Sequence, residues 1–278
     1  MGPASSRRAW QVGEKHFDTG NDFFVDMLDP EMAYSCGYWR DATTLQQAQR
    51  NKLDLVCRKL HLKAGMRLLD IGCGWGSLMR HAAQHYGVEC VGLTVSREQA
   101  ELGAERCRGL PVQFQLQDYR EHVGHYDRIA SIGMFEHVGA RNYGAYFNSV
   151  HRLMDANGLM LLHTIGGLQR GHDIDPWIGK YIFPNGQLPS LGQIADACEN
   201  RFVIEDVENF GADYDPTLMA WHRNFKANWH RHRERYSPQF ERMWSCYLRS
   251  CAGAFRARNI QLWQLVLSPM GVQGGWRL

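Results

Sequence analysis

The segment Leu68-Leu69-Asp70-Ile71-Gly72-Cys73-Gly74-Trp75-Gly76 constrains the fold more than any other part of the chain. An apolar run that ends in Asp and opens into alternating glycines reads as a buried strand turning tightly into a helix. Without a Cβ, the glycines take positive φ and let the backbone come close to a ligand, while the helix that follows presents its unpaired N–H groups there. The spacing is not the dinucleotide fingerprint, whose third glycine would fall one residue later, at Ser77.

Periodicity extends this unit in both directions. It predicts a helix over Asp41 to Leu62 leading into the first strand, and another over Ser77 to Tyr86 after the turn. Strands follow near Glu89 to Leu93, Val112 to Leu116, Arg128 to Ile132 and Leu159 to His163, with helices near Ser96 to Cys107 and Tyr143 to Leu153. Such alternation implies an α/β fold, a parallel sheet with helices on both faces. Ligands of these sheets bind at the carboxyl ends of the strands, where Gly72, Thr94, Asp118, Glu136 and His163 fall. Beyond His163 the alternation stops. A Gly-, Pro- and aromatic-rich stretch runs from Gly166 to Ser190, a strand is expected at Phe202 to Val207, a long helical region at Pro216 to Phe255 and a last strand at Ile260 to Leu267. Residues 164–200 and 214–258 are read as insertions forming a lid over the strand ends, within one domain spanning 1–278 whose first 15 residues are an extension.

Composition narrows the function. The 278 residues are 44% apolar, ordinary for a globular domain, and no apolar run approaches the ~20 residues that span a bilayer. Met1 to Trp10 lacks the apolar stretch of a secretory signal, so the expected location is cytoplasmic. Eight scattered cysteines without CxxC or zinc spacing read as reduced thiols, with no metal site. The net charge of +2 hides a basic run, Arg223, Lys226, Arg231, Arg233, Arg235, Arg242, Arg249, Arg256 and Arg258, against only Glu234 and Glu241. It is either a solvated face or a surface drawn to anionic lipid headgroups on the inner face of the membrane. No nucleic-acid-binding motif accompanies it.

The second strand ends in Thr94, where nucleotide-binding folds usually place an acid on the ribose hydroxyls. Thr94, Ser96 and Gln99 offer neutral hydrogen bonds instead. Together with the glycine spacing this fits S-adenosylmethionine, whose methionine half carries no pyrophosphate. Val91-Gly92-Leu93-Thr94-Val95-Ser96-Arg97-Glu98-Gln99, Tyr34-Ser35-Cys36-Gly37-Tyr38-Trp39, Gly133-Met134-Phe135-Glu136-His137-Val138-Gly139, Leu161-Leu162-His163-Thr164-Ile165-Gly166 and Phe210-Gly211-Ala212-Asp213-Tyr214 form a set in order. From about His16 to about Leu267 the chain resembles the cyclopropane-fatty-acyl-phospholipid synthases. That family usually carries a further small N-terminal domain in bacteria. Here Met1 to Gly13 precede the matching region, as in the short mycolic-acid-modifying relatives or in a fragment.

The resemblance implies a Rossmann-like class I S-adenosylmethionine-dependent methyltransferase fold. The implied reaction adds the methyl carbon of the cofactor across a cis double bond of an unsaturated phospholipid acyl chain and closes a cyclopropane ring. A bicarbonate ion is the implied base, held by Cys36, Glu136, His163, Ile165 and Tyr214. In this assignment His163 and Tyr214 donate through side chains, Cys36 and Ile165 through backbone N–H groups, and Glu136 accepts the bicarbonate hydroxyl proton. For the cofactor the set is Asp70, Gly72, Cys73, Gly74 and Gly76, with Tyr34 and Ser35 over the methionine end, Thr94 and Gln99 on the ribose, and Asp118 with Tyr119 at the adenine. His137 is expected to be structural. Cys251 joins the catalytic candidates through a matching cysteine, although the mechanism gives it nothing to attack. Three alternatives stay open: a small-molecule N-methyltransferase, a methyl-branching or methylenating lipid enzyme, and a catalytically silent lipid-binding module. A homodimer is likewise open.

Overall fold

The computed structural model describes residues 20–171 and 174–278. The extension 1–15 lies outside the described residues. In chain order the elements are α1 (Asn21–Met27), α2 (Leu45–Lys59), β1 (Arg67–Ile71), α3 (Ser77–Tyr86), β2 (Glu89–Thr94), α4 (Arg97–Arg106), β3 (Val112–Leu116) and β4 (Tyr126–Ile132). There follow α5 (Tyr143–Leu153), β5 (Met154–Gly166), α6 (Pro176–Tyr181), α7 (Leu191–Cys198), β6 (Val203–Asn209), α8 (Tyr214–Asn228), α9 (Pro238–Arg256) and β7 (Gln261–Ser268).

The seven strands form one sheet in the order β3-β2-β1-β4-β5-β7-β6. β1 to β5 pair in parallel, as expected. β7, however, runs antiparallel between β5 and β6, so the sheet is mixed rather than parallel. The reason is topological: α8 and α9 reverse the chain between β6 and β7, and a helical hairpin can bring a strand back antiparallel without a crossover. Strand alternation sorts the core into two faces. Leu68, Leu159, Leu161 and Val266 face α2 and α3, while Leu69, Met160, Leu162, Leu265 and Leu267 face α5 and α7.

Local chemistry sets the ends of the elements. Thr44 caps α2 in a capping box with Gln47, starting the helix at Leu45, four residues after the expected Asp41. Ser96 caps α4 by accepting from the Gln99 N–H at 3.3 Å. The expected helical run from Pro216 to Phe255 is two helices. Trp229–Arg231 forms a 3₁₀ turn, and Ser237 with Pro238 restarts the chain as the cap and first residue of α9. Over the strand ends, α1, α8 and α9 bury an aromatic cluster that includes Phe23, Phe24, Trp221, Phe225, Trp244, Tyr247 and Phe255. No helix among the described residues is long and apolar enough to cross a membrane.

Candidate active site

A cavity of about 1270 Å³ opens at the carboxyl ends of β1, β2, β3 and β4. Its floor is the turn after β1. Gly72, Gly74 and Gly76 take φ of 83°, 55° and 78°, and the Gly72 and Cys73 N–H groups are tied to the Leu93 carbonyl at 2.9 and 3.0 Å. A Cβ on Gly76 would come within 2.4 Å of the Phe114 ring, so this glycine is required by packing. A Cβ on Gly74 would meet nothing within 4 Å, so this glycine faces open space. Of the expected cofactor residues, Tyr34, Ser35, Asp70, Gly72, Cys73, Gly74, Thr94, Gln99, Asp118 and Tyr119 line the cavity, and Gly76 supports it from behind.

The Thr94–Gln99 pair expected at the ribose is held by hydrogen bonds of its own. The Thr94 hydroxyl donates to Gln99 Oε1 at 3.1 Å while its oxygen accepts the Ser96 N–H, which leaves the Gln99 amide N–H₂ as the free donor. The adenine end departs from expectation. Asp118 is not an open acceptor, because the Arg120 N–H and Nε–H donate to its Oδ1 and Nη2 donates to Oδ2 at 2.6 Å. Burial pulls this carboxyl up, but the Arg120 hydrogen bonds outweigh it and hold the group below its ordinary range. Asp118 therefore presents only lone pairs that Arg120 leaves unused.

The residues expected to hold the anion lie outside the cavity lining. β4 and β5 pair Ile132 with His163, and the 3₁₀ turn Phe135–His137 just past β4 carries Glu136 back to β5, where Oε1 accepts the Ile165 N–H at 2.7 Å. This corrects one expected role: the Ile165 N–H orients Glu136 rather than standing free for an anion. Burial pushes the Glu136 carboxyl up to about 7 against that hydrogen bond. Its Oε2 is buried with no hydrogen-bond partner among the described residues. The nearby Thr164 hydroxyl gives its hydrogen to the Ile165 carbonyl at 3.1 Å.

His163 is 1% exposed, and burial holds it neutral, well below its ordinary pKa. Gln264 Nε2 donates to Nδ1 at 3.2 Å, an assignment that places the imidazole proton on Nε2. Nε2 is likewise buried and unpartnered among the described residues. Tyr214 stacks on Phe255 at 4.3 Å, and Cys36 and Glu136 lie close enough that their charge, added to burial, would raise its phenol. An acceptor and a donor thus stand unsatisfied, buried, with a tyrosine nearby. An anion carrying both a hydroxyl and basic oxygens fits that pair chemically; a metal cation does not, and no metal-binding cluster occurs among the described residues.

Several residues here were not singled out by sequence. His137, read as structural, instead is exposed and lines the cavity, with the Phe183 ring at 6.2 Å. Lys52, on α2, is 1% exposed, and its Nζ donates to Ser35 Oγ at 2.9 Å. Burial pushes Lys52 down to about 8 and Asp70 up to about 7, and their mutual attraction opposes both shifts. The signal for Lys52 was available: Leu45, Gln49, Lys52, Val56 and Lys59 recur at helical spacing on the buried face of α2.

Two further expectations change. The basic run is partly neutralised: Asp26 and Asp22, some two hundred residues earlier, accept from Arg231 and Arg235, Asp215 accepts from Arg256, and Glu241 within the run accepts from Lys226. Arg223, Arg242 and Arg249 are exposed. Cys251, on α9, packs against the aromatic cluster, and burial pushes its thiol up to about 12, away from a thiolate.

A mixed sheet in this order, with a Gly-rich turn after β1 and a neutral Thr–Gln pair after β2, defines the S-adenosylmethionine-dependent methyltransferase class. The chain is similar over 93% of its length, with a TM-score of 0.88 and 36% identity, to the crystal structure of mycolic acid cyclopropane synthase CmaA1 complexed with SAH and CTAB, of which it covers 97%. It is 56% identical over 274 residues to the cyclopropane-fatty-acyl-phospholipid synthase of Escherichia coli K12, covering 99% of this chain and 72% of that protein. It is 38% identical over 270 residues to cyclopropane mycolic acid synthase 1 of Mycobacterium tuberculosis, covering 90% and 93%. Coclaurine N-methyltransferase, at 22% identity and a TM-score of 0.83, shares the fold. The profile of the mycolic acid cyclopropane synthetase family matches residues 4–265, and the chain belongs to that family.

Proposed function

We propose that this enzyme delivers the methyl carbon of S-adenosylmethionine to a cis double bond of an unsaturated phospholipid acyl chain and closes a cyclopropane ring, with bicarbonate bound as the base. The observation that carries the base is the two unsatisfied buried atoms, Glu136 Oε2 in the turn after β4 and His163 Nε2 on β5, the strand that pairs with β4. The relatives' names support the lipid substrate, and CTAB, a long-chain compound, was bound in one of them.

Bound S-adenosylmethionine supplies an electrophilic methyl group, and bound bicarbonate supplies a proton acceptor. The chain does the rest. Tyr34 and Ser35 close over the methionine end, and Gly72 to Gly76 let the backbone pass beneath it. Tyr34 is fixed by a 3.0 Å hydroxyl contact with Tyr247 and a tilted ring contact with Trp221 at 5.1 Å, so this wall of the cavity is held in place. An alkene is a weak nucleophile, and such positioning with water kept out lowers the barrier by several kcal/mol. Glu136 Oε2 accepts from the hydroxyl of the anion, and His163 Nε2–H donates to one of its oxygens. The carboxylate form of Glu136 is needed for this, and the Ile165 N–H stabilises it. The exposed Arg223, Arg242 and Arg249 would meet anionic headgroups while the chain stays peripheral to the bilayer.

Incubation of the purified chain with unsaturated phospholipid vesicles and methyl-labelled cofactor tests the reading. Mass spectrometry of the released acyl chains is expected to show the gain of one CH₂ with loss of reactivity toward alkene reagents. A gain of CH₂ plus two hydrogens, a retained double bond, or label on an amine would overturn it. Removal of carbonate is expected to slow turnover and its return to restore it.

A further inference from the structure

The turn that covers the methionine end is anchored by a buried charge that the reaction itself does not use. On α2, Gln49 Nε2 donates to the Ser35 carbonyl at 2.7 Å, and one turn later Lys52 Nζ donates to the Ser35 hydroxyl oxygen. A serine hydroxyl that accepts from an ammonium must point its own hydrogen elsewhere. Ser35 is 6% exposed, and it lines the cavity. Lys52 is therefore placed to convert an ambivalent hydroxyl into a donor aimed at the cavity.

Charge strengthens the case. Asp29 and Asp70 both act on the Lys52 ammonium, and Asp70 Oδ1 is buried without a hydrogen-bond partner among the described residues. Without Lys52 this end of the cavity would be anionic and would repel a carboxylate. With it, one of the two carboxylates is offset, the repulsion beside Ser35 falls, and the hydroxyl that accepts from Lys52 can donate. Of the parts of the cofactor, only the amino-acid end carries a carboxylate.

We infer that Lys52 is a positioning residue that, through Ser35, makes the cavity select for the carboxylate of the cofactor's amino-acid end. The inference rests on the cofactor reading above. Calorimetry would compare S-adenosylhomocysteine with its decarboxylated counterpart, S-adenosyl-3-thiopropylamine, on the wild type, Lys52→Gln and Ser35→Ala. The wild type is expected to prefer the carboxylate-bearing ligand by roughly tenfold to a hundredfold, the size of one charge-assisted hydrogen bond. Both variants are expected to lose most of that preference, weakening the carboxylate-bearing ligand much more than the decarboxylated one. A structural role alone would weaken both ligands equally in Lys52→Gln and would overturn the inference, as would an undiminished preference. Should Lys52→Gln fail to fold, Ser35→Ala, which keeps the lysine, decides by the same comparison. Wild type that binds neither ligand would refute the cofactor reading, and this inference with it.

Discussion

Glu136→Gln separates the catalytic use of a buried carboxylate from its effect on stability. In the folded chain burial raises this group from 4.5 to about 7, partly offset by the Ile165 N–H. A group that is harder to ionise when folded contributes stability below its unfolded pKa and loses it as pH rises through the folded one. Here the window runs from 4.5 to about 7. At about 1.4 kcal/mol per pH unit, the wild type bears roughly 3 kcal/mol of cost for an ionised Glu136 above that window. Glutamine keeps an oxygen to accept the Ile165 N–H and cannot ionise. Stability of the variant relative to wild type is therefore expected to grow by roughly 2.5 kcal/mol between pH 5 and pH 8. Urea unfolding at the two pH values, in carbonate-free buffer so that no bound anion stabilises the wild type, measures the difference. Turnover of the same variant is expected to fall by about a hundredfold or more, with cofactor affinity little changed. A variant less stable than wild type at pH 8, or a gap that ignores pH, would refute the electrostatic argument. Wild-type turnover would refute the catalytic one.

Gly76→Ala puts a Cβ 2.4 Å from Phe114 in a left-handed conformation, and is expected to lower stability by more than about 2 kcal/mol in thermal or urea unfolding. Gly74→Ala, with open space around the new carbon, is expected to keep most of the stability and lose cofactor affinity by calorimetry, the reverse pattern. Replacing Arg223, Arg242 and Arg249 together by Gln is expected to reduce sedimentation with anionic vesicles and the salt dependence of that association, whereas Arg231→Gln and Arg235→Gln are expected to act through the lost Asp26 and Asp22 pairs on stability. Cys251→Ser is expected to retain a substantial fraction of turnover, since a thiol pushed up to about 12 is not a nucleophile near neutrality; a folded variant with normal cofactor binding and no product would return the thiol to the mechanism.

What was legible in the sequence follows from how local its cause is. The β1 turn, the helix that begins near Ser96 and the helix Tyr143–Leu153 are written within a few residues, and the structure has them where periodicity puts them. The direction of β7 is not local, because a period of two is the same for a strand read either way; it depends on α8 and α9 returning the chain. The break at Ser237-Pro238 did carry a local signal, a capping serine before a proline, but the charged and apolar spacing continued across it. Electrostatics was the least legible layer. Asp22 and Asp26 offset a basic run from which they are distant in sequence, and Arg120 occupies Asp118 from only two residues away. Whether a charge faces solvent, a ligand or another charge is decided by the tertiary fold, which is why the positive-φ glycines could be read from the chain whereas the meeting of the Ile165 N–H with Glu136 and the place of His137 in the cavity lining could not. Lys52 lies between these cases: its place on the buried face of α2 is periodic and readable, and only the fold brings Ser35 and Asp70 to meet it.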